Sequence, residues 1–418
     1  MDFDKLVNQL FFSKEAADYL GISVQRLNQL VHENKIIPMK KNASGTLFHI
    51  DELNRRKTEL SIFDVNTNKG GGKGMFEIDN QTKQEAVNFA TLMNILNCAE
   101  SKVEPELEKL AELVDLASPL DDPRVCAIYA KQLGLDCKCI IDTYKSAYIA
   151  FTLLKNRDEI IKRGSPDYPP LLAETEQAPR FLYIRGRKSL LFETRTVSLV
   201  GSRKASDKAK ENTRKIAKLL GENGITVISG LAKGIDIAAH RAALDCGYNT
   251  IAVIGTSLNQ YYPSENMNAQ LEIEEKGLVV SQFSPASITQ RWFFPLRNGV
   301  MSGLSLATVI MEAGETSGAL KQADFALKQG RQILIPESAI HNTAITWPQR
   351  YVDKGAQVVR TSTDIIRALA ENKIFKVQQR NGDIYTGLAQ QSIEDFIQSR
   401  ENQPNEPRKW KKSVIPVE

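Results

Sequence analysis

Between residues 165 and 373 the chain alternates short apolar, β-branched runs with longer segments whose apolar positions recur every three or four residues. The runs at 197–200, 225–229, 250–254, 278–282, 307–312, 332–335 and 356–359 predict strands. The periodic segments at about 206–222, 235–246, 264–276, 297–303, 317–329, 343–353 and 363–372 predict helices. Strands this apolar are buried on both faces, so the expected fold class is α/β, with a doubly wound parallel sheet.

Upstream the pattern differs. Residues 81–160 read as a helical domain: Ala86, Phe89, Ala90, Leu92, Met93 and Leu96 recur at helical spacing, as do Leu107, Leu110, Leu113 and Leu116. Residues 61–80 carry Asn66–Gly74, a Gly/Lys-rich run without apolar periodicity, and read as a flexible linker. The tail 374–418 is polar and ends in a basic cluster, Arg408–Lys412, around Trp410.

Residues 1–60 form a separate small module. Ser13 is expected to cap a helix through Leu20, with Ala16, Ala17 and Leu20 on its inner face. Gly21 makes a turn, and Ser23 caps a second helix carrying Val24, Leu27, Leu30 and Val31. Ile36–Pro38 and Leu47–Ile50 flank a polar tip at Lys40–Gly45, which predicts a hairpin or wing. Ala16–Ser23 and the wing resemble the excisionase/MerR-type winged helix-turn-helix. That resemblance implies duplex-DNA contact through Gln25, Arg26, Asn28 and Gln29 on the second helix and Lys40 and Lys41 in the wing. A protein-contact module with a solvated helix face is the alternative.

Composition is that of a soluble globular protein: 418 residues, 42% hydrophobic, 25% charged, net charge +4. A nucleic-acid surface must therefore be local, because so small an average charge does not hold a polyanion. The five cysteines (98, 126, 137, 139 and 246) have no second pair at finger or ribbon spacing, and reduced, buried thiols are expected rather than a metal site. No segment has the length and apolarity of a membrane span or leader, so the expected location is cytoplasmic.

Candidate chemistry lies at the strand ends. Val197–Ser206 and Ile228–His240 each run a strand into a Gly/Ser turn and a helix, which places backbone N–H groups and Arg203, Lys204 and Lys233 at one sheet edge. A dinucleotide fingerprint is missing, since the first turn has one glycine and two cations. P-loop spacing and a nucleophile elbow are missing too, and His240 reads as structural. No cofactor, no metal and no enzymatic activity are expected. Phe294–Asn298 and Met311–Leu320 would bring Arg297, Asn298, Ser317 and Gly318 to the same crevice. Glu312 is an acid among cations. Orienting Arg203 or Arg297 by ion pairing is its expected role, with ribose or base contact and hydrolysis as the alternatives.

Taken in order, Tyr168–Leu172, Gly201–Arg203, Ser229–Asp236, Ala239–His240, Tyr262–Asn266, Phe294–Asn298, Glu312–Ala313, Ser317–Gly318 and Gly330–Arg331 resemble the DNA-processing protein A (DprA/Smf) family. The resemblance implies an extended Rossmann-like core that dimerises, binds single-stranded DNA and assists loading of the RecA recombinase. It places the DNA pocket at Gly201, Ser202, Arg203, Lys233, Arg297 and Asn298, and Lys204, Gly230, Gly234, Ser317 and Gly318 of the same strand-end turns are expected to bind DNA with them. The chain departs from the family pattern at Gly299, where a second arginine is usual, at Ser281-Gln282, at Leu320–Ala323 and at Pro336-Glu337. Two rival readings stand beside this one. The first is an antitoxin or sensor in a phage-defence pair, with a cognate toxin as partner; the second is a nucleotide-ligand-binding Rossmann-like protein.

Overall fold

The computed structural model describes residues 80–371 and, before them, segments of the N-terminal stretch between residues 10 and 53. Contacts divide the chain into two units, Met1–Asp79 and Asn80–Glu418.

In the first unit, β1 (Leu10–Phe12) leads into α1 (Ser13–Leu20) and α2 (Val24–His32), and β2 (Lys40–Asn42) pairs antiparallel with β3 (Gly45–His49). The sheet order is β1-β3-β2. The β1 strand was not foreseen, and the wing strand before the turn lies at 40–42 rather than 36–38. Lys40 and Lys41 are thus strand residues, paired opposite Leu47 and Thr46. Ser13 lies inside α1, and it is Glu15 that reaches back to the Phe12 N–H at 2.9 Å, supplying one half of a capping box. Ala16, Ala17, Leu27, Ile36, Phe48 and Leu53 form the core. Val24, expected inside, is exposed, because α2 presents only a narrow apolar stripe. Gly21, Ser23, the linker 61–79 and the tail 374–418 lie outside the described residues.

The second unit opens with four helices: α3 (Gln81–Leu96), α4 (Glu100–Ala111), α5 (Pro123–Leu133) and α6 (Cys137–Thr152). Asn80, Asp122 and Asp136 cap three of them through side-chain oxygens. These helices pack against the sheet itself, with Phe89 on Phe181 at 5.6 Å and Phe151 on Tyr183 at 5.9 Å between ring centroids. Below that contact the Glu85 carboxylate accepts from Arg180 (2.6 Å) and Lys162 (2.5 Å).

The sheet contains β4 (Asp158–Lys162), β5 (Phe181–Gly186), β6 (Thr196–Gly201), β7 (Thr226–Ser229), β8 (Thr250–Val253), β9 (Leu278–Ser281), β10 (Ala307–Glu312), β11 (Gln332–Pro336) and β12 (Gln357–Val359). Their order is β12-β11-β10-β6-β7-β8-β9-β5-β4. From β12 to β9 all neighbours are parallel; β5 and β4 extend the sheet antiparallel. The seven parallel strands sit where the apolar runs predict them. The two antiparallel strands were missed, and β4 replaces the end of the expected helical segment. Helices α8 (Asp207–Glu222), α9 (Ile235–Asp245), α10 (Met267–Lys276), α11 (Phe293–Gly303), α12 (Gly318–Lys328), α14 (Trp347–Val352) and α15 (Ser362–Ala370) connect the strands. The short α7 (Pro170–Ala173) and α13 (Glu337–Ile340) complete the set.

Alternate residues of each strand feed two cores, one per face. Val197, Leu199, Val227 and Val309 pack with α8, α9 and α15. Val200, Ile228, Val253 and Ile310 pack with α11, α12 and α14. The chain winds from β6 through β9 in one direction and returns to β10 on the other side of β6. A topological switch point therefore falls between β6 and β10, and the crevice outside their carboxyl ends is where an open α/β sheet receives a ligand.

Among the described residues no helix is long and apolar enough to cross a membrane, and no cluster of His, Cys, Asp or Glu is placed to hold a metal ion. The five cysteines are free. Only Cys126 is buried; Cys139 and Cys246 are exposed, contrary to the expected burial. Cys139 falls in the first turn of α6, on its solvent side.

Candidate nucleic-acid interface

A cleft of about 540 Å³ opens at the switch point. Gly201, Ser202, Arg203, Lys204, Arg297, Asn298, Ser317 and Gly318 line it, whereas Gly230, Lys233 and Gly234 lie behind or beside it. Sequence reasoning did not anticipate Gln322 or Thr316 in the wall, nor the side chain of Asp236 in the floor.

The turn after β6 carries the two freely presented cations. Ser202 N–H donates to the Glu312 carbonyl at 2.7 Å, and Ser202 Oγ accepts from Lys204 N–H at 3.1 Å. These bonds leave Arg203 and Lys204 exposed. The Arg203 guanidinium lies 5.9 Å from the centre of the Phe294 ring, which in turn packs on Tyr262 at 5.0 Å. An arginine held over an aromatic face keeps its charge while losing part of its freedom. Phe293 is stacked on Phe283 at 3.9 Å and belongs to the core, whereas Tyr262 and Trp292 are about half exposed.

Glu312 does not orient an arginine. A register shift between Ile310 and Glu312 bulges the end of β10, and the carboxylate accepts from Ser206 N–H at 3.0 Å and Ser206 Oγ at 2.6 Å. Ser206 is itself the N-cap of α8. The helix terminus that would receive a phosphate in a dinucleotide-binding fold is therefore occupied by a carboxylate. The α9 terminus is closed differently, its Ile235 and Ile237 N–H groups donating to the Ser202 and Ala232 carbonyls at 3.4 and 3.1 Å. Asp236, buried in its first turn, accepts from Ala232 N–H at 3.3 Å. Burial raises its pKa, and the neighbouring Arg297 opposes that rise.

Several expected contact residues are directed inward. Arg297 is 5% exposed and Asn298 7%. Asn298 accepts from Arg297 Nε at 3.1 Å and donates to the Gly318 carbonyl at 3.2 Å, which ties α11 to the start of α12. Burial lowers the Arg297 pKa to about 10, with Asp236 opposing and Arg203 reinforcing the shift, so the side chain is still charged at neutral pH. Gly230 is buried against that guanidinium. Ser317 caps α12 by accepting from Ala319 N–H at 3.3 Å. The Lys233 ammonium meets the Glu265 carboxylate at 2.5 Å. His240 is fully buried, its Nδ1 2.8 Å from Thr250 Oγ1, and burial pushes its pKa down to about 3. A neutral, enclosed imidazole fits the structural role expected of it.

The family model described as DNA recombination-mediator protein A matches residues 159–370, half of the chain and all of the sheet. The chain belongs to this family. The DNA processing protein DprA of Streptococcus pneumoniae is 36% identical over 199 residues, which is 48% of this chain and 70% of that protein. The X-ray structure of the same pneumococcal protein covers 70% of this chain and 96% of its own length, at a TM-score of 0.53 and 28% identity. Protein Smf of Synechocystis is 35% identical over 214 residues, 50% of this chain, and the match spans only 54% of Smf. A Helicobacter pylori DNA processing protein A, whose structure is described for its single-stranded-DNA binding mode, matches at a TM-score of 0.46 and 26% identity. At Gly299, where the sequence was expected to depart from the family pattern, a Cβ would lie 2.8 Å from Gln177 Cγ and 3.4 Å from the Phe325 ring. The space beside α11 is already filled by the 174–178 turn.

Proposed function

We propose that this member of the recombination-mediator family binds single-stranded DNA in the switch-point cleft and acts by binding, without catalysis. The observation that carries the reading is the pair of exposed cations, Arg203 and Lys204, presented by a tied-down turn on the rim of the cleft. With Glu312 bound at the α8 N-cap and the α9 N–H groups donating to carbonyls, side-chain cations supply most of the attraction for a polyanion. Such attraction is spread along a backbone and indifferent to base sequence. Tyr262, half exposed and packed on Phe294, offers a face on which a base can stack.

Ser202, Gly201, Gly318 and Ser317 shape the wall, and Gly230, Gly234, Arg297 and Asn298 hold it. Lys233 joins the phosphate contacts when it leaves Glu265. The N-terminal unit is proposed as a winged helix-turn-helix reaching duplex DNA. Gln25 and Asn28, both exposed on α2, are its first candidates, with Arg26, Gln29, Lys40 and Lys41 beside them in the sequence. Self-association and delivery of RecA to the bound strand are the further parts of the proposal, and family membership is what supports them.

Fluorescence anisotropy of a labelled oligothymidylate, titrated at several salt concentrations, tests the reading. Arg203→Ala should weaken binding and make log K against log salt shallower by about 0.7, the loss of one single-strand phosphate contact. Unchanged affinity in Arg203→Ala/Lys204→Ala would move the site elsewhere. Retention of duplex binding by that double variant would assign the duplex activity to the N-terminal unit.

A further inference from the structure

The cleft contains two arginines of opposite character. Arg203 is exposed on the rim, whereas Arg297 is 5% exposed and has its guanidinium turned to the protein. Arg297 Nη1 donates to the Gly230 carbonyl at 2.6 Å and also to the Val253 carbonyl. Gly230 directly follows β7, and Val253 is the last residue of β8. One guanidinium nitrogen therefore joins the carboxyl ends of two neighbouring parallel strands, where the ladder has ended and the carbonyls lack strand partners.

The turn that starts there needs such a hold. Leu231 has φ +57° and Gly234 φ +78°, so left-handed backbone appears twice within a few residues, once at a side chain that disfavours it. Asp236 secures the same turn from the helix side through Ala232 N–H, and Asn266 Nδ2 holds the Leu231 carbonyl at 2.9 Å. The guanidinium lies flat on Gly230, where a Cβ would stand 2.3–2.5 Å from its atoms. Only glycine leaves that seat open. This turn carries Lys233.

We infer that Arg297 is a positioning residue: bridging Gly230 and Val253, it fixes the 230–234 turn and so places Lys233 for the strand, instead of contacting phosphate itself. This rests on the single-strand reading above and sharpens it, because it assigns to an internal role an arginine that the sequence places among the DNA contacts.

The test uses the full chain and a labelled oligothymidylate over a salt series. Arg297→Lys keeps the charge but not the two-carbonyl geometry, so Lys233 should lose its phosphate: binding should weaken about tenfold at low salt and the salt slope become shallower by about 0.7, and the same change made in a Lys233→Ala background should cost little more. Gly230→Ala, with every charge in place, should give the same pattern. Wild-type affinity in Arg297→Lys would overturn the inference, and so would a further slope loss of about 0.7 when Arg297→Ala is added to Lys233→Ala, the signature of a direct phosphate contact by Arg297 itself. Amide hydrogen exchange supplies a readout independent of DNA: Arg297→Lys should speed exchange at residues 231–234 and leave β6, β7 and β8 protected. Unchanged exchange in the turn, or global loss of protection, would overturn the positioning role. If the wild type fails to bind oligothymidylate, the single-strand reading falls, while the exchange experiment still decides what Arg297 does.

Discussion

The Glu265 carboxylate occupies the position that a phosphate would take at the Lys233 ammonium, 2.5 Å away, with both side chains about half exposed. An exposed pair of this kind is weakly held, so an incoming strand can displace it, but displacement has a cost. Glu265→Gln should therefore tighten single-strand binding about threefold to fivefold at low salt, converging on wild type as salt rises. Equal or weaker binding in anisotropy titrations would show that Lys233 does not reach the strand. At this scale the sequence told part of the story. Arg203 and Lys204 were legible because a Gly-Ser turn after a buried strand leaves its next residues at the surface. That Arg297 and Asn298 turn inward was not legible, for a physical reason. A cation in the opening turns of a helix looks the same in sequence whether it meets a ligand or strand-end carbonyls, and only the register of α11 against β7 and β8 decides.

Among the elements, the β6 and β7 turns are interlocked. Gly234 adopts φ +78°, and a Cβ there would lie 2.2 Å from the Ser202 carbonyl oxygen, against backbone that has no room to move. Gly234→Ala should lower the unfolding free energy by about 1–3 kcal/mol, measured by denaturant titration, and weaken strand binding in parallel. Little change in either would mean that the two turns separate more easily than their packing implies. The parallel strands were readable from their unbroken apolar runs, whereas β4 and β5 were not. Asp158-Glu-Ile-Ile-Lys162 is too polar to signal a strand, and β5 contains Arg185, a residue foreign to sheet interiors. Arg185 is tolerated because Asp158 and Glu274 enclose it, at 2.5 and 3.0 Å, and its third partner is the Leu258 carbonyl. That arrangement joins residues 116 positions apart, from Asp158 to Glu274, and no local pattern reveals it.

For the molecule as a whole, the buried His240 makes stability depend on pH. Its folded-state pKa of about 3 lies below the ordinary 6.5, so between those values the unfolded chain binds the extra proton. Its contribution is complete above pH 6.5 and is lost as pH falls toward 3, about 2 kcal/mol being gone at pH 5. His240→Asn should be less stable at neutral pH yet lose less on acidification, which chemical denaturation at pH 8 and pH 5 will show. Parallel losses in the two proteins would remove His240 as the origin of the acid sensitivity.

The closed N-termini of α8 and α9 carry a consequence for life in a crowded cell. A strand-end crevice with open helix termini is a trap for any nucleoside di- or triphosphate, and free nucleotides abound wherever DNA is handled. Here Glu312 sits at the α8 N-cap and the α9 N–H groups already donate to carbonyls, so a single nucleotide finds one or two surface cations and few open amides. A long strand touches many such weak points at once, and its avidity grows with length while that of a monomer does not. Helix termini closed in this way favour polymer over monomer.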